Sequence, residues 1–189
     1  MSALIDWISQ PSTAGERLLV AMPGVGDVGK LAIDAVNAEL DAEPIARILH
    51  PALPPLAKLD EDGLLAPPHI MLSRVIVDGQ EVYTLTGDAQ PMTPEGQHEM
   101  AVSVLDLFEG GEVLVLAGMS AEAGRKEVFS ITSSSSYRIE LEAMGVDVRR
   151  DEPKAGVIGM AALITAMGPI KNVKTSCTIA TTVGNSADP

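Results

Sequence analysis

The sequence predicts a single α/β domain, residues 1–189, with a mostly parallel sheet, one hairpin and helices on both faces. Three observations predict it. Apolar runs of strand length alternate with helical patterns of about 10 to 15 residues, as strand–helix–strand units do. A glycine-rich stretch, Met22-Pro23-Gly24-Val25-Gly26-Asp27-Val28-Gly29-Lys30, joins the first clear strand to the first clear helix. The length of 189 residues suits one sizeable core.

The elements follow in order. Arg17–Met22 reads as a strand, Val28–Leu40 as a helix and Ile45–Leu49 as a second strand. Pro51–Pro68 contains Pro54-Pro55 and Pro67-Pro68, which remove backbone donors and favour extended chain, so it reads as a loop with at most one short edge strand. Ile70–Val77 and Gln80–Thr86 flank Asp78-Gly79, a strong signal for a two-residue hairpin turn. Thr93-Pro94 supplies an N-cap and a first-turn proline for a helix that ends at Gly110-Gly111. Glu112–Ala117 and Val128–Ile131 read as strands. The serines at 133–136 cap a helix closed by Gly145. Val146–Val148 reads as a short strand, Ile158–Met167 as a buried helix and Thr175–Val183 as the last strand.

The glycine-rich stretch nearly fits two nucleotide templates. Gly24, Gly26 and Gly29 match G-x-G-x-x-G, but the second strand ends in His50-Pro51, where the template wants a carboxylate for the ribose. Gly24 to Lys30 matches G-x-x-x-x-G-K, but Leu31 stands where a hydroxyl should ligate magnesium. Three roles stay open: a tight turn allowing close helix–sheet approach, a small-anion or nucleotide site, and a partner-contact loop. In open α/β sheets ligands gather at the carboxyl ends of strands. Convergence of the loops Pro23–Gly29, Gly87–Pro91 and Gly118–Arg125 there would make Gly24, Gly26, Asp27, Gly29, Lys30, Asp88, Gln90 and Glu122 candidate ligand-binding residues. For Asp88 the competing role is capping of the following turn.

Composition narrows the function classes. Hydrophobic residues make up 46% but aromatics only 3%, so the core must be aliphatic with methionine filling. A formal charge of −13 argues against nucleic acid, since phosphates need a basic surface. Cys177 is the one cysteine and lies in an apolar run, which suits inert core packing in a reducing compartment. His50, His69 and His98 show no metal-ligand spacing, so neither a metal nor a cofactor is expected. No signal-like N-terminus and no membrane-length apolar run are evident; the expectation is a cytoplasmic protein without membrane contact.

The loops resemble those of the proteasome assembly chaperone family, in particular its archaeal and bacterial members. The matching residues are the Met22–Lys30 stretch, Leu85-Thr86-Gly87-Asp88-Ala89-Gln90-Pro91 and Thr93-Pro94-Glu95-Gly96-Gln97. Weaker matches are the helix start at Gly156–Gly159 and the closing Ser186-Ala187-Asp188-Pro189. The resemblance implies a three-layer α/β/α sandwich, homo-oligomerisation and a role escorting proteasome subunits or related assemblies, with proteasome α-type subunits as the expected partner to test. Members usually continue beyond the matching Asp-Pro, and some end in a hydrophobic–Tyr–x tail. This sequence stops at Pro189 without such a tail, as either a short member or a cut chain would. The expected function is a non-catalytic assembly chaperone or scaffold, with Trp7 and Tyr137 as scarce aromatic contact residues. The alternative is a nucleotide- or small-molecule-binding enzyme using Gly24–Lys30 for an anion and Asp88 or Glu122 as acid or base.

Overall fold

The structure, a computed structural model, describes residues 2–184; the weak match at residues 186–189 lies outside the described residues. The chain opens with β1 (Leu4–Trp7), β2 (Arg17–Ala21), α1 (Val28–Glu39) and β3 (Glu43–Leu49). Two strands of two residues each, β4 (Lys58–Leu59) and β5 (Leu65–Ala66), form a small hairpin within the proline-rich stretch. There follow β6 (Ile70–Val77), β7 (Gln80–Gly87), α2 (Pro94–Leu107), β8 (Glu112–Ser120) and β9 (Val128–Thr132). The remainder is α3 (Ser135–Ala143), α4 (Gly159–Met167) and β10 (Lys174–Thr182). The expected strand at Val146–Val148 reduces to one bridge between Ser130 and Val148.

The main sheet has the order β1-β3-β6-β7-β2-β8-β10-β9. It is mixed rather than mostly parallel. β2 runs parallel to β7 and β8, and β8 parallel to β10, while every other pairing is antiparallel. At the edges β1 and β9 reverse direction, and in the interior the β6–β7 hairpin does. Its turn residues Asp78 (φ 50°) and Gly79 (φ 77°) adopt the left-handed conformations of a tight reversal. This hairpin sits between β3 and β2, so the first two helix-linked strands are not neighbours.

Helices cover both faces, giving three layers. The α2 helix starts where Thr93 Oγ1 accepts from the Gly96 N–H at 3.1 Å, with Pro94 at the first position. Its buried residues Met100, Val104 and Leu105, with the following Phe108, pack with Met160 and Ile164 of α4 against Leu18, Val20, Leu85, Val113 and Ile179. Tyr83 meets Phe108 edge-on at 5.5 Å between ring centres. Fully burying each large aliphatic or aromatic side chain here contributes about 1.5–3 kcal/mol. Cys177 is fully buried in this layer.

The opposite face carries α1 and α3. Thr84 Oγ1 donates to Asn37 of α1 at 2.7 Å, and the Tyr137 hydroxyl of α3 donates to Glu112. Ser134 caps α3 by accepting from the Tyr137 N–H at 3.2 Å, while the neighbouring Ser133 hydroxyl donates to the Thr165 carbonyl at 2.6 Å. On this face α1 lies over β7, β2 and β8. The β4–β5 hairpin lies beyond it, above the β3–β6 part of the sheet.

Candidate functional site

The glycine-rich loop follows β2 and enters α1 through a single 3-10 turn at Val25–Asp27. Gly26 (φ 64°) requires the left-handed backbone. Gly29 is needed for another reason: a Cβ there would collide with the Leu116 carbonyl of β8. Gly118 is its counterpart, since a Cβ there would strike the carbonyl oxygen of Val25. Gly24 has no such constraint, the nearest atom to an added Cβ being Met22 O at 3.8 Å. The glycines therefore let α1 and its entry turn press directly onto β8.

The polar groups of this loop are already engaged. The Gly24 N–H donates to the Asp27 carboxylate at 3.1 Å, and the Asp27 N–H donates back to Gly24 O at 3.1 Å. An anion seeking that N–H would meet a carboxylate of the chain itself. Lys30 Nζ donates to Asp34 at 2.6 Å and stands 4.0 Å from Asp88. Lys58 of β4 donates to the other Asp88 oxygen at 2.6 Å. That hydrogen bond holds the Asp88 carboxyl below its ordinary range, against the opposing effect of partial burial and with the Lys58 and Lys30 charges adding to it. A carboxyl so held stays ionised near neutral pH and is a poor general acid.

Gln90 connects the loops. Its Nε2 donates to the Pro23 carbonyl at 2.8 Å, and its Oε1 accepts from the Met160 N–H at the start of α4 at 3.2 Å. Gly159 (φ 76°) leaves room for this, as a Cβ there would lie 2.9 Å from Gln90 Oε1. Nearby, Gln97 Nε2 donates to Pro91 O at 2.9 Å, and the Met92 N–H donates to Ala52 O at 2.7 Å. The structure thus brings Gly24, Gly26, Asp27, Gly29, Lys30, Asp88 and Gln90 to one edge of the sheet. No hydrogen bond or ion pair among the described residues joins the Glu122 side chain to them. It sits in an exposed turn whose Glu122 carbonyl accepts from the Arg125 N–H at 3.1 Å.

Beside Lys30 and Asp88 opens a cleft of about 750 Å³. Its floor includes Arg47, Met71 and Thr86, and Leu53, Leu56 and Ala66 of the proline-rich stretch contribute walls. Sequence reading missed Lys58, Arg47 and Thr86, although a lone cation amid prolines was the available signal for Lys58. Tyr137, expected as a contact aromatic, is instead 3% exposed, and burial raises its hydroxyl well above its ordinary value, with Glu112 adding to the effect. Among the described residues no three His, Cys, Asp or Glu side chains converge as metal ligands would. Likewise, no described helix is long and apolar enough to cross a membrane.

A family model described as the PAC2 family matches residues 18–189. Among curated proteins, the uncharacterised protein MJ1210 of Methanocaldococcus jannaschii is 23% identical over 179 residues, covering 91% of this chain and 67% of that one. Among solved structures, Pyrococcus furiosus PbaB, described as an archaeal proteasome activator, superposes with a TM-score of 0.81 at 20% identity. That match covers 97% of this chain and 81% of PbaB. Pyrococcus furiosus PbaA, an archaeal homolog of proteasome-assembly chaperone, matches with a TM-score of 0.75 at 23% identity over 96% of this chain and 77% of its own. The Mycobacterium tuberculosis proteasome-assembly chaperone homologue Rv2125 matches at 0.63 and 18% identity, over 90% of this chain and 78% of its own. These likenesses bear out the α/β fold, and the residues quoted from the loops lie within the matched region. The chain belongs to the PAC2 family.

Proposed function

We propose that this protein is a non-catalytic assembly chaperone or scaffold that acts in the cytoplasm as a homo-oligomer and holds proteasome α-type subunits. The observation that carries the reading is the use made of the polar residues in the loop cluster. Gln90 ties two loops and a helix start together, Asp27 closes its own turn, and Lys30 and Asp88 are engaged in ion pairs. Such a cluster is a clasp that holds the sheet edge rigid, and it favours the structural role of Gly24–Lys30 over an anion site. Kinship supports the partner: PbaB, PbaA and Rv2125 are described in terms of proteasome activation or assembly. Exposed aliphatics support association, with Ile158 88% and Ile170 80% exposed. Co-expression with proteasome α-type subunits tests the reading. Affinity purification of this chain is expected to retain those subunits, and their complete loss at moderate salt would overturn it, as would turnover of a nucleotide abolished by Lys30→Ala.

A further inference from the structure

We propose that the cleft under the β4–β5 hairpin receives an extended, uncharged, apolar peptide segment of about three residues from a partner protein. The volume of about 750 Å³ lies within the range that ligand sites occupy. Arg47, Met71 and Thr86 stand in register across β3, β6 and β7, so their side chains form one row on the sheet face that carries α1. Two polar groups of that row lack partners. Thr86 is 9% exposed and its hydroxyl makes no hydrogen bond, and Arg47 Nε is buried and unpaired. Groups in that condition favour a ligand that satisfies them.

Spacing and charge select the ligand. Two strand intervals separate Thr86 from Arg47, about 9–10 Å, which three extended residues span. A segment lying across the strands brings carbonyl oxygens to Arg47 Nε and a backbone amide to the Thr86 hydroxyl. The cations facing the cleft are already paired: Lys30 with Asp34, Lys58 with Asp88, and Arg47 with Asp6 at 3.6 Å. The hairpin tip, Asp60-Glu61-Asp62, places acidic residues at the rim and repels anions. Leu53, Leu56, Pro67 and Met71 then accept apolar side chains.

The test is an NMR titration of the isotope-labelled full chain with N-acetyl-Leu-Ala-Leu-amide. Saturable shifts are expected at the amides of Met71, Thr86 and Gly87. Thr86→Val keeps the shape, removes the orphan hydroxyl and is expected to fold with an undiminished melting temperature while weakening binding about tenfold. Octanoate, comparable in length but anionic, is expected to bind at least about tenfold more weakly. Absence of saturable shifts at millimolar peptide, equal binding by Thr86→Val, or equal binding of octanoate would each overturn the proposal.

Discussion

Gly29 and Gly24 share a sequence pattern but meet different surroundings, and this difference is measurable. At Gly29 a methyl group would displace the β8 backbone, so Gly29→Ala is expected to cost about 1–3 kcal/mol or more in urea unfolding. Gly24 is extended (φ −164°) with open space beside it, so Gly24→Ala is expected to stay within about 0.5 kcal/mol. Equal costs at the two positions would refute the close-approach explanation. The spacing of the glycines was legible in the sequence as a strand–turn–helix junction, but which glycine bears on β8 was not, because β8 lies some 85 residues downstream of it and only the fold brings Leu116 there. Gln90 was legible as a candidate, whereas its two partners, Pro23 and Met160, were not. Gln90→Ala leaves the Pro23 carbonyl and Met160 N–H without their bonds and is expected to lower stability by about 1–3 kcal/mol; an unchanged urea midpoint would show that the clasp has no energetic role.

At the scale of elements, the long segments with clear period were readable and the short ones were not. β1 has only four residues and gains its place by pairing antiparallel with β3, a partner more than 35 residues away. The β4–β5 hairpin hid among prolines for the same reason: each strand is two residues long and is held by its neighbours. The segments around β9 are joined by ions. Arg125 and Arg149 both donate to Glu127 and Glu152, and Arg149 also lies over the Phe129 ring at 4.4 Å. The Arg125 and then Arg149 hydrogen bonds lower the Glu152 carboxyl from its ordinary 4.5 to about 2. A lowered folded-state value means that this stabilisation is complete above pH 4.5 and fades as pH falls toward 2. The melting-temperature gap between wild type and Glu152→Gln is therefore expected to narrow across that window; a constant gap would contradict the ionic origin. On β10, burial pushes the Cys177 thiol up to about 12, opposed by a hydrogen bond with Thr165. Folded protein is expected to leave a thiol-specific dye unreacted, with one equivalent reacting in urea; rapid labelling of the folded chain would contradict that burial.

For the whole molecule, alternation of strands and helices made the layered α/β architecture readable, since helix-linked strands need cover on both faces. The mixed pairing escaped because five strands, β2, β3, β7, β8 and β10, share one direction while β6 and the edge strands β1 and β9 run against them. The cleft escaped too, being a property of what α1 leaves uncovered rather than of any local motif. A net charge of −13 opposes the approach of copies at long range, so the proposed homo-oligomer requires apolar contacts such as those offered by the exposed Ile158 and Ile170. Native mass spectrometry of this chain co-expressed with proteasome α-type subunits measures both halves of the proposed function at once. The expected spectrum shows a homo-oligomer carrying bound subunits; a spectrum of free monomer alongside unbound subunits would contradict it.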